Sequence, residues 1–284
     1  MSLQGTCKTA LRTALKTAWS LRPPSFRNRI IYYHSVHPTL SISTRPEVFE
    51  AQILAAKALD YRFITHREIP EALRQGGTSP WIALGFDDGY EDNHDVAAPI
   101  LERHGVPATF FAVAGQIRAE NQCPDAGYQL YPDRRMMSRA QLRNLAAAGH
   151  EIASHGLQHE LATAVLTAGR DLAAEYATSR EQLSEWAGQE VVSYSYPNGQ
   201  HGAYSERTRA ATIAAGFRTA AVTVWGSVGP EADLFTLPRC EVAAEDTPET
   251  LVRKLTGKDD YLYVAHRIRR SPTWQPSESP VAAS

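Results

Sequence analysis

The sequence predicts an α/β fold with a parallel sheet, arranged either as a barrel or as an open sheet. Short apolar runs alternate along the chain with amphipathic segments of about 10–18 residues, a pattern that is typical of repeated βα units. The length of 284 residues suits one large domain or two small ones. The hydrophobic fraction of 43% and the charged fraction of 21% are those of an ordinary globular protein.

Each predicted element has a local signal. The predicted strands are apolar or aromatic runs bounded by turn residues, and they cover residues 29–34, 61–64, 81–86, 108–113, 151–153, 191–196 and 217–224. The predicted helices carry apolar residues at helical spacing, and several end at a glycine. They cover residues 46–59, 67–73, 94–104, 139–148, 169–187 and 207–215. The polar stretch 115–137 is predicted to be an irregular insertion near one end of the fold.

Charge and cysteine content exclude several classes of protein. A net charge of −2 predicts no basic footprint for nucleic acid over the whole molecule. The three cysteines, Cys7, Cys123 and Cys240, are widely spaced and have neither zinc-finger spacing nor the pattern of a disulfide framework. This usage favours a reduced compartment.

The first 28 residues form a basic amphipathic segment, because the first acidic residue of the chain is Glu47. Basic residues interrupt every candidate apolar core, so no secretory signal is evident and a cytoplasmic location is expected. Two interpretations stay open. Residues 1–22 form a helix that lies on the anionic surface of the inner membrane, or they form an ordinary helix that packs on the domain with its charges solvated.

Polar residues lie at the carboxyl ends of four of the predicted strands. They are His34, the pair Asp87 and Asp88, His155, and the run 196–198, which reads Tyr-Pro-Asn. In parallel α/β folds the functional groups gather at the carboxyl ends of the strands. We therefore expect these four clusters to converge on one site.

The acidic pair and the histidine cluster predict a metal site with a second carboxylate that does not bind the metal. Side chains alternate at a strand end, so Asp87 and Asp88 point differently. His155 and His159 have i, i+4 spacing, which places two imidazoles on one side of a helical turn. A metal held there would activate water, and the second carboxylate would take its proton. The alternative is that the acidic pair only caps a turn and that the histidines are not ligands.

Three motifs in this order resemble those of a known family. Residues 85–89 read Gly-Phe-Asp-Asp-Gly, residues 155–159 read His-Gly-Leu-Gln-His, and residues 195–199 read Ser-Tyr-Pro-Asn-Gly. They resemble the motifs of the polysaccharide deacetylases with a NodB homology domain, also called carbohydrate esterase family 4. The adjacent Tyr33 and His34 resemble the branch that acts on poly-N-acetylglucosamine.

The resemblance implies a fold and a reaction. It covers residues 29–270 and implies a single-domain distorted (β/α) barrel. The basic segment 1–28 precedes this domain, and the composition of residues 271–284, rich in Ser, Pro and Ala, predicts a disordered tail. The implied enzyme is a metal-dependent hydrolase that removes an N-acetyl group from an amino sugar. We expect the substrate to belong to a surface polysaccharide or a lipid-linked glycan.

The family's residue roles carry over onto matching positions. Asp88, His155 and His159 would hold a divalent metal, usually zinc, with cobalt, nickel, manganese or iron as alternatives. A metal-bound water would be the nucleophile and Asp87 the general base. The third motif, Tyr196-Pro197-Asn198, would bind substrate, with Pro197 stiffening the loop and the backbone N–H of Asn198 stabilising the oxyanion.

The chain departs from the family pattern in the groups that support these residues. The arginine that steadies the catalytic aspartate in the family is Ser195 here, and Arg239 is the alternative source of a guanidinium. The fifth motif, which carries the general acid, has only a faint echo at His266. His34 is the better candidate for the acid, against the interpretation that it is a core histidine bonded to backbone.

Other functions compete with deacetylation. The same scaffold could remove a formyl group or cleave a non-sugar amide, and the sequence does not separate these reactions. A catalytically degenerate carbohydrate-binding protein is the alternative that is not an enzyme. The family's acidic fourth motif is not recognisable around residues 223–233, and this loss, with that of the fifth motif, favours the alternative. The intact Asp87 argues against it, because binding alone requires no base.

Overall fold

The computed structural model describes residues 13, 15–19, 21–40, 43–77, 79–119 and 134–262. His266, the predicted tail at 271–284 and most of the predicted insertion lie outside these residues. The predicted basic segment is described only in part, and residues 15–19 of it are helical.

Strands and helices alternate along the chain as the sequence predicts. The strands are β1 (Arg29–Tyr33), β2 (Arg62–Ile64), β3 (Trp81–Phe86), β4 (Thr109–Ala112), β5 (Glu151–Ser154), β6 (Ser193–Ser195), β7 (Thr219–Ala221) and β8 (Cys240–Glu241). The α-helices that follow residue 28 are α1 (Pro46–Lys57), α2 (Ile69–Gln75), α3 (Ala98–Arg103), α4 (Arg139–Ala147), α5 (Ala162–Thr167), α6 (Leu172–Ala187), α7 (Glu206–Ala214) and α8 (Pro248–Leu255). A π-helical turn, Asn93–Ala97, runs directly into α3.

The strands form one parallel sheet in the order β7-β6-β5-β4-β3-β1-β8, which confirms the α/β prediction. Strand β3 lies at a fork. One of its edges pairs with β1, while the other pairs first with β2 and then, at Gly85 and Phe86, with β4. All six residues of β3 are buried, as expected for a strand covered on both faces.

The segment around β8 joins the two ends of the sheet. On one side, the N–H of Val222 donates to Leu237 and the N–H of Arg239 donates to Val224, just beyond β7. On the other side, β8 pairs with β1. Because the same segment bonds to both ends, the sheet curls into a barrel, and the side chain of Arg239 points into it.

Several element boundaries differ from the sequence prediction because side chains or distant partners set them. Helix α6 begins at Leu172, not at residue 169, because the carboxylate of Asp171 accepts the N–H groups of Ala173 and Ala174. Helix α5 was not predicted. Strand β7 is shorter than residues 217–224, because the N–H of Phe217 donates to Thr212 and closes the end of α7 instead.

In the part of the chain that the structure describes, no helix is both long and apolar enough to cross a bilayer. Near the basic segment, the guanidinium of Arg22 stacks on the ring of Trp19 at 3.8 Å. Contact of residues 1–22 with a membrane stays a prediction.

A buried ion pair ties the start of β1 to the turn after α8. The side chain of Arg29 is 0% exposed and donates to Asp260 at 2.8 Å. The other carboxylate oxygen of Asp260 accepts from the indole N–H of Trp225 at 3.2 Å. Asp260 is therefore the counter-charge of a fully buried guanidinium.

We expect Asp260→Asn to lower the free energy of unfolding by about 2–3 kcal/mol, because it leaves the buried charge of Arg29 unbalanced. Urea denaturation followed by circular dichroism measures the change. Glu206→Gln is the matched control, since Glu206 pairs with Arg209 at the surface and is 79% exposed. Its expected cost is below about 0.5 kcal/mol. Equal effects of the two substitutions would contradict the interpretation.

Candidate metal centre

The carboxyl ends of β1, β3, β5 and β6 lie at one end of the barrel, and the predicted site residues follow these strands. His34 follows β1, Asp87 and Asp88 follow β3, and His155 follows β5. Parallel pairing makes this gathering unavoidable, because all the strands end at the same side of the sheet.

Asp88, His155 and His159 form a cluster of potential metal ligands. One ligand atom from each lies within 4.8 Å of the other two. The Nε2 atoms of His155 and His159 lie 3.6 Å and 3.5 Å from Oδ1 of Asp88. One carboxylate and two imidazoles form a donor set that suits zinc in catalytic sites.

The surroundings of both histidines also fit a divalent metal. Nδ1 of His155 donates to the carbonyl of Ser195 at 2.8 Å, which leaves the lone pair of Nε2 facing Asp88. Burial, together with the neighbouring His155, lowers the pKa of His159 to about 4. His159 can therefore offer a lone pair at neutral pH, as metal ligation requires, and Nε2 of His155 faces the same carboxylate.

The backbone of the centre is strained. Among the described residues that are not glycine, those with positive φ are Asp60, Asp88, His159 and Asn198, with φ of 60°, 76°, 57° and 61°. Such conformations cost about 1–3 kcal/mol each and persist where the surrounding structure holds them. Asp88, His159 and Asn198 belong to the candidate site. Holding these three residues in their orientations therefore lowers the stability of the fold.

The prediction that His155 and His159 share a helical turn is wrong. Residues 155–159 form a loop, which turns at Gly156 with φ of 87°. The N–H groups of Ala114 and Gly115 donate to the carbonyls of Gly156 and Leu157 at 3.0 Å and 2.7 Å. A Cβ at Gly115 would lie 2.6 Å from the Leu157 oxygen, so the approach requires glycine. Contacts with the loop after β4 thus bring the two imidazoles together.

Asp87 lies beside the triad of Asp88, His155 and His159, but it is bound to Arg239. The guanidinium donates from Nη1 to Oδ1 at 2.7 Å and from Nη2 to Oδ2 at 2.8 Å. Burial by itself would raise the pKa of Asp87, but the charges of Arg239 and His155 outweigh burial and the pKa lies well below its ordinary value. Asp87 is therefore an ionised carboxylate in the barrel, distinct from Asp88 of the candidate metal site.

Arg239 is enclosed on its remaining sides. Its guanidinium lies 4.1 Å from the ring centre of Tyr32 and 5.5 Å from that of Phe111. The side chain is 0% exposed, so it contacts Asp87 and cannot contact a substrate. The predicted guanidinium at this position is present, and it acts on the aspartate, not on the substrate.

The third motif divides into buried and exposed parts. Tyr196 is 1% exposed, its hydroxyl lies 3.2 Å from Oγ1 of Thr212 on α7, and burial raises its pKa to about 12. Its side chain is thus a core group, which corrects its prediction as a substrate contact. Pro197 is buried against the loop at Gly156, whereas Asn198 is exposed. The backbone of Asn198 is held by Oγ1 of Thr223, which donates to its carbonyl at 2.6 Å.

His34 is half-buried at the rim of the site. Its ring lies edge-on to that of Tyr32, with centroids 5.6 Å apart. His34 also helps to lower the pKa of both Asp87 and His159, although burial and the other neighbouring charges have larger effects on these two pKa values. Its ring therefore lies on the same pocket as the triad.

The family model for polysaccharide deacetylase matches residues 74–220, just over half of the chain, and this range includes Asp87 and the triad. The chain belongs to the polysaccharide deacetylase family. It is thus an enzyme of the carbohydrate deacetylase class, a hydrolase, as its three motifs predict. Two elements of this deacetylase's site, His34 and Arg239, lie outside the matched range.

Curated relatives of this deacetylase differ in how much they share with it. YxkH of Bacillus subtilis (strain 168) is 25% identical over 229 residues, which are 80% of this chain and 75% of YxkH. A poly-beta-1,6-N-acetyl-D-glucosamine N-deacetylase of Staphylococcus aureus (strain MSSA476) is 33% identical over 105 residues, which are 36% of each protein. The second match thus covers about a third of that relative.

Solved structures confirm the barrel of this deacetylase. IcaB from Ammonifex degensii aligns with a TM-score of 0.68 and 21% identity, over 82% of this chain and 98% of IcaB. The Streptococcus pyogenes deacetylase PplD, in complex with acetate, aligns with a TM-score of 0.66 and 21% identity, over 82% and 99%. At these identities the likeness establishes the fold alone.

The triad should account for metal binding, and Asp87 should not. We expect His155→Ala to lose bound zinc, because the remaining aspartate and histidine form too small a donor set. Elemental analysis after dialysis against zinc measures the content. Asp87→Asn is the matched control, and we expect it to retain as much zinc as the unchanged protein. Full zinc content in His155→Ala would rule out the triad as the metal site.

Proposed function

We propose that this deacetylase removes N-acetyl groups from an amino sugar of a surface polysaccharide or lipid-linked glycan, with a divalent metal held by Asp88, His155 and His159. One observation carries the proposal: a carboxylate outside the triad, Asp87, lies 4.0 Å from Nε2 of His155 and is kept ionised by Arg239. Structural metal sites need no such group, whereas hydrolysis needs a base.

Asp87 is suited to take the proton of the attacking water. When bound, the metal would make water more acidic and polarise the acetamide carbonyl. Arg239 occupies one acceptor direction on each oxygen of Asp87, and a carboxylate oxygen has a second. The free directions can accept a proton while the bidentate contact prevents the carboxylate from rotating.

The oxyanion of the tetrahedral intermediate needs a fixed donor, and the backbone N–H of Asn198 is the proposed one. Thr223 holds this part of the loop twice, because its hydroxyl donates to Asn198 and its N–H donates to Gly199 at 2.9 Å. The buried Pro197 precedes the donor and limits its motion. A donor that is already oriented stabilises developing charge without reorganisation.

His34 is the proposed general acid for the leaving amine. Its ring makes no hydrogen bond to the described residues, which leaves its ring nitrogens available to a substrate. An amine leaves poorly unless it is protonated, so an acid at the pocket rim is required on the side opposite the base. The position of His34 after β1 supports this assignment.

The name of the Staphylococcus aureus relative and the neighbouring Tyr33 and His34 make poly-β-1,6-N-acetyl-D-glucosamine the first substrate to test. The degenerate binding protein is disfavoured, because a binding site has no use for the buried pair of Asp87 and Arg239. Formyl release remains the alternative reaction.

We expect the zinc-loaded enzyme to release acetate from oligomers of N-acetylglucosamine, and a chelator to abolish the release. Enzymatic measurement of acetate and formate in the same samples separates the two reactions. Asp87→Asn should reduce the rate by about 10³-fold or more, because it removes the base. Release of neither acid from any glycan would favour the binding protein, and an active Asp87→Asn variant would refute the role of the base.

The bidentate contact of Arg239 should matter more than its charge. We expect Arg239→Lys to lower kcat by about 10²-fold, because one ammonium cannot hold both oxygens of Asp87 in place. KM and zinc content should stay near those of the unchanged enzyme. Arg209→Lys, at a surface pair with Asp233, is the control for the chemical change. A kcat equal to that of the control would refute the positioning role.

A further inference from the structure

The loop after β1 is held by hydrogen bonds at His34 and at the two residues that follow it. Nδ2 of Asn93 donates to the carbonyl of His34 at 3.0 Å. The carboxylate of Asp92 accepts from Oγ of Ser35 at 2.5 Å and from the N–H of Val36 at 3.4 Å. Three consecutive residues, beginning with His34, are therefore held by two neighbouring side chains.

The sequence suggests a different role for Asp92 and Asn93, which are predicted to cap the following helix. The structure corrects this, because the side chain of Asp92 makes no capping bond to the helix. The helix begins at Glu91 and passes at once into the π-helical turn Asn93–Ala97. Such turns are rare and occur often at functional sites. Here the turn places Asn93 against the loop that carries His34.

The contact at Asn93 depends on an N–H donor. Asn93 is 0% exposed, and its amide nitrogen also donates to Oδ1 of Asp92 at 3.0 Å. An aspartate at position 93 would have the same shape but no N–H, and it would turn a charged oxygen toward the carbonyl of His34. The loop is tied from its other side too, since Oγ of Ser43 lies 2.6 Å from Oγ of Ser35 and accepts from Arg134.

We propose that Asp92 and Asn93 are positioning residues that fix the imidazole of His34 relative to the leaving amine. The inference rests on the proposed function, in which His34 is the general acid. Asp92 and Asn93 lie in the first helical turn after the loop that carries Asp87 and Asp88. One short segment therefore sets the base, a metal ligand and the acid in a common frame. The base and the acid must bracket the scissile bond, and this connection fixes the distance between them.

The leaving group provides the test. An amine requires an acid, whereas the nitrophenolate of 4-nitrophenyl acetate departs without one. We expect zinc-loaded Asn93→Asp to lose about tenfold or more in kcat on N-acetylglucosamine oligomers and to hydrolyse the ester within about twofold of the unchanged enzyme. His34→Ala should show the same split, and the double variant should be no slower than His34→Ala. Equal losses on amide and ester, or no loss, would overturn the proposal.

Asp95→Asn is the matched control. Asp95 lies on the same helical turn, but its carboxylate accepts from Gln141 on α4 and not from the loop. We expect it to keep full activity on both substrates.

Hydrogen exchange tests the hydrogen bonds to this loop without any measurement of activity, so it separates the inference from the proposed function. We expect faster amide exchange of residues 34–37 in Asn93→Asp and unchanged exchange there in Asp95→Asn. If the unchanged enzyme releases no acetate from any glycan while this difference in exchange is present, the proposed function fails and the fastening of the loop stands. Unchanged exchange in Asn93→Asp would refute the fastening itself.

Discussion

The buried ion pair of Asp87 and Arg239 is the interaction on which the rest of the site depends. A carboxylate that is 2% exposed would be strongly disfavoured in the barrel without a counter-charge. Arg239 supplies that charge with two hydrogen bonds, and it reaches Asp87 only because its segment bonds to β7 on one side and to β1 on the other. Closure of the barrel and orientation of Asp87, the proposed base, are therefore one structural event.

The sequence predicts the parts of the site that local pattern determines. Asp87, Asp88 and His155 follow apolar strands, and a parallel sheet brings such ends together whatever the details of packing. The triad could thus be assembled from strand ends and residue types. The path between His155 and His159 could not, because it is set by backbone bonds from Ala114 and Gly115, and such distant contacts leave no local periodicity.

Contacts that are distant in sequence also explain the residues for which the prediction is wrong. The ring of Tyr196 lies in the core because Thr212 on α7 meets its hydroxyl, and Asp92 turns from its helix because Ser35 and Val36 offer donors. Arg239 is an intermediate case. Its guanidinium was expected near the base from the family pattern, but only the curl of the sheet shows that it is sealed from any substrate.

The distance of Arg239 from its partner along the chain has a consequence for synthesis. The two residues of the pair are separated by 152 positions, so a ribosome completes the four strands that follow β3 before it makes Arg239. Until then Asp87 lacks the two hydrogen bonds of this guanidinium, so burial of its charge is strongly disfavoured. The nascent chain can form βα units early, but burial of Asp87 has to await Arg239. The candidate site is consequently expected to be among the last parts of this enzyme to mature.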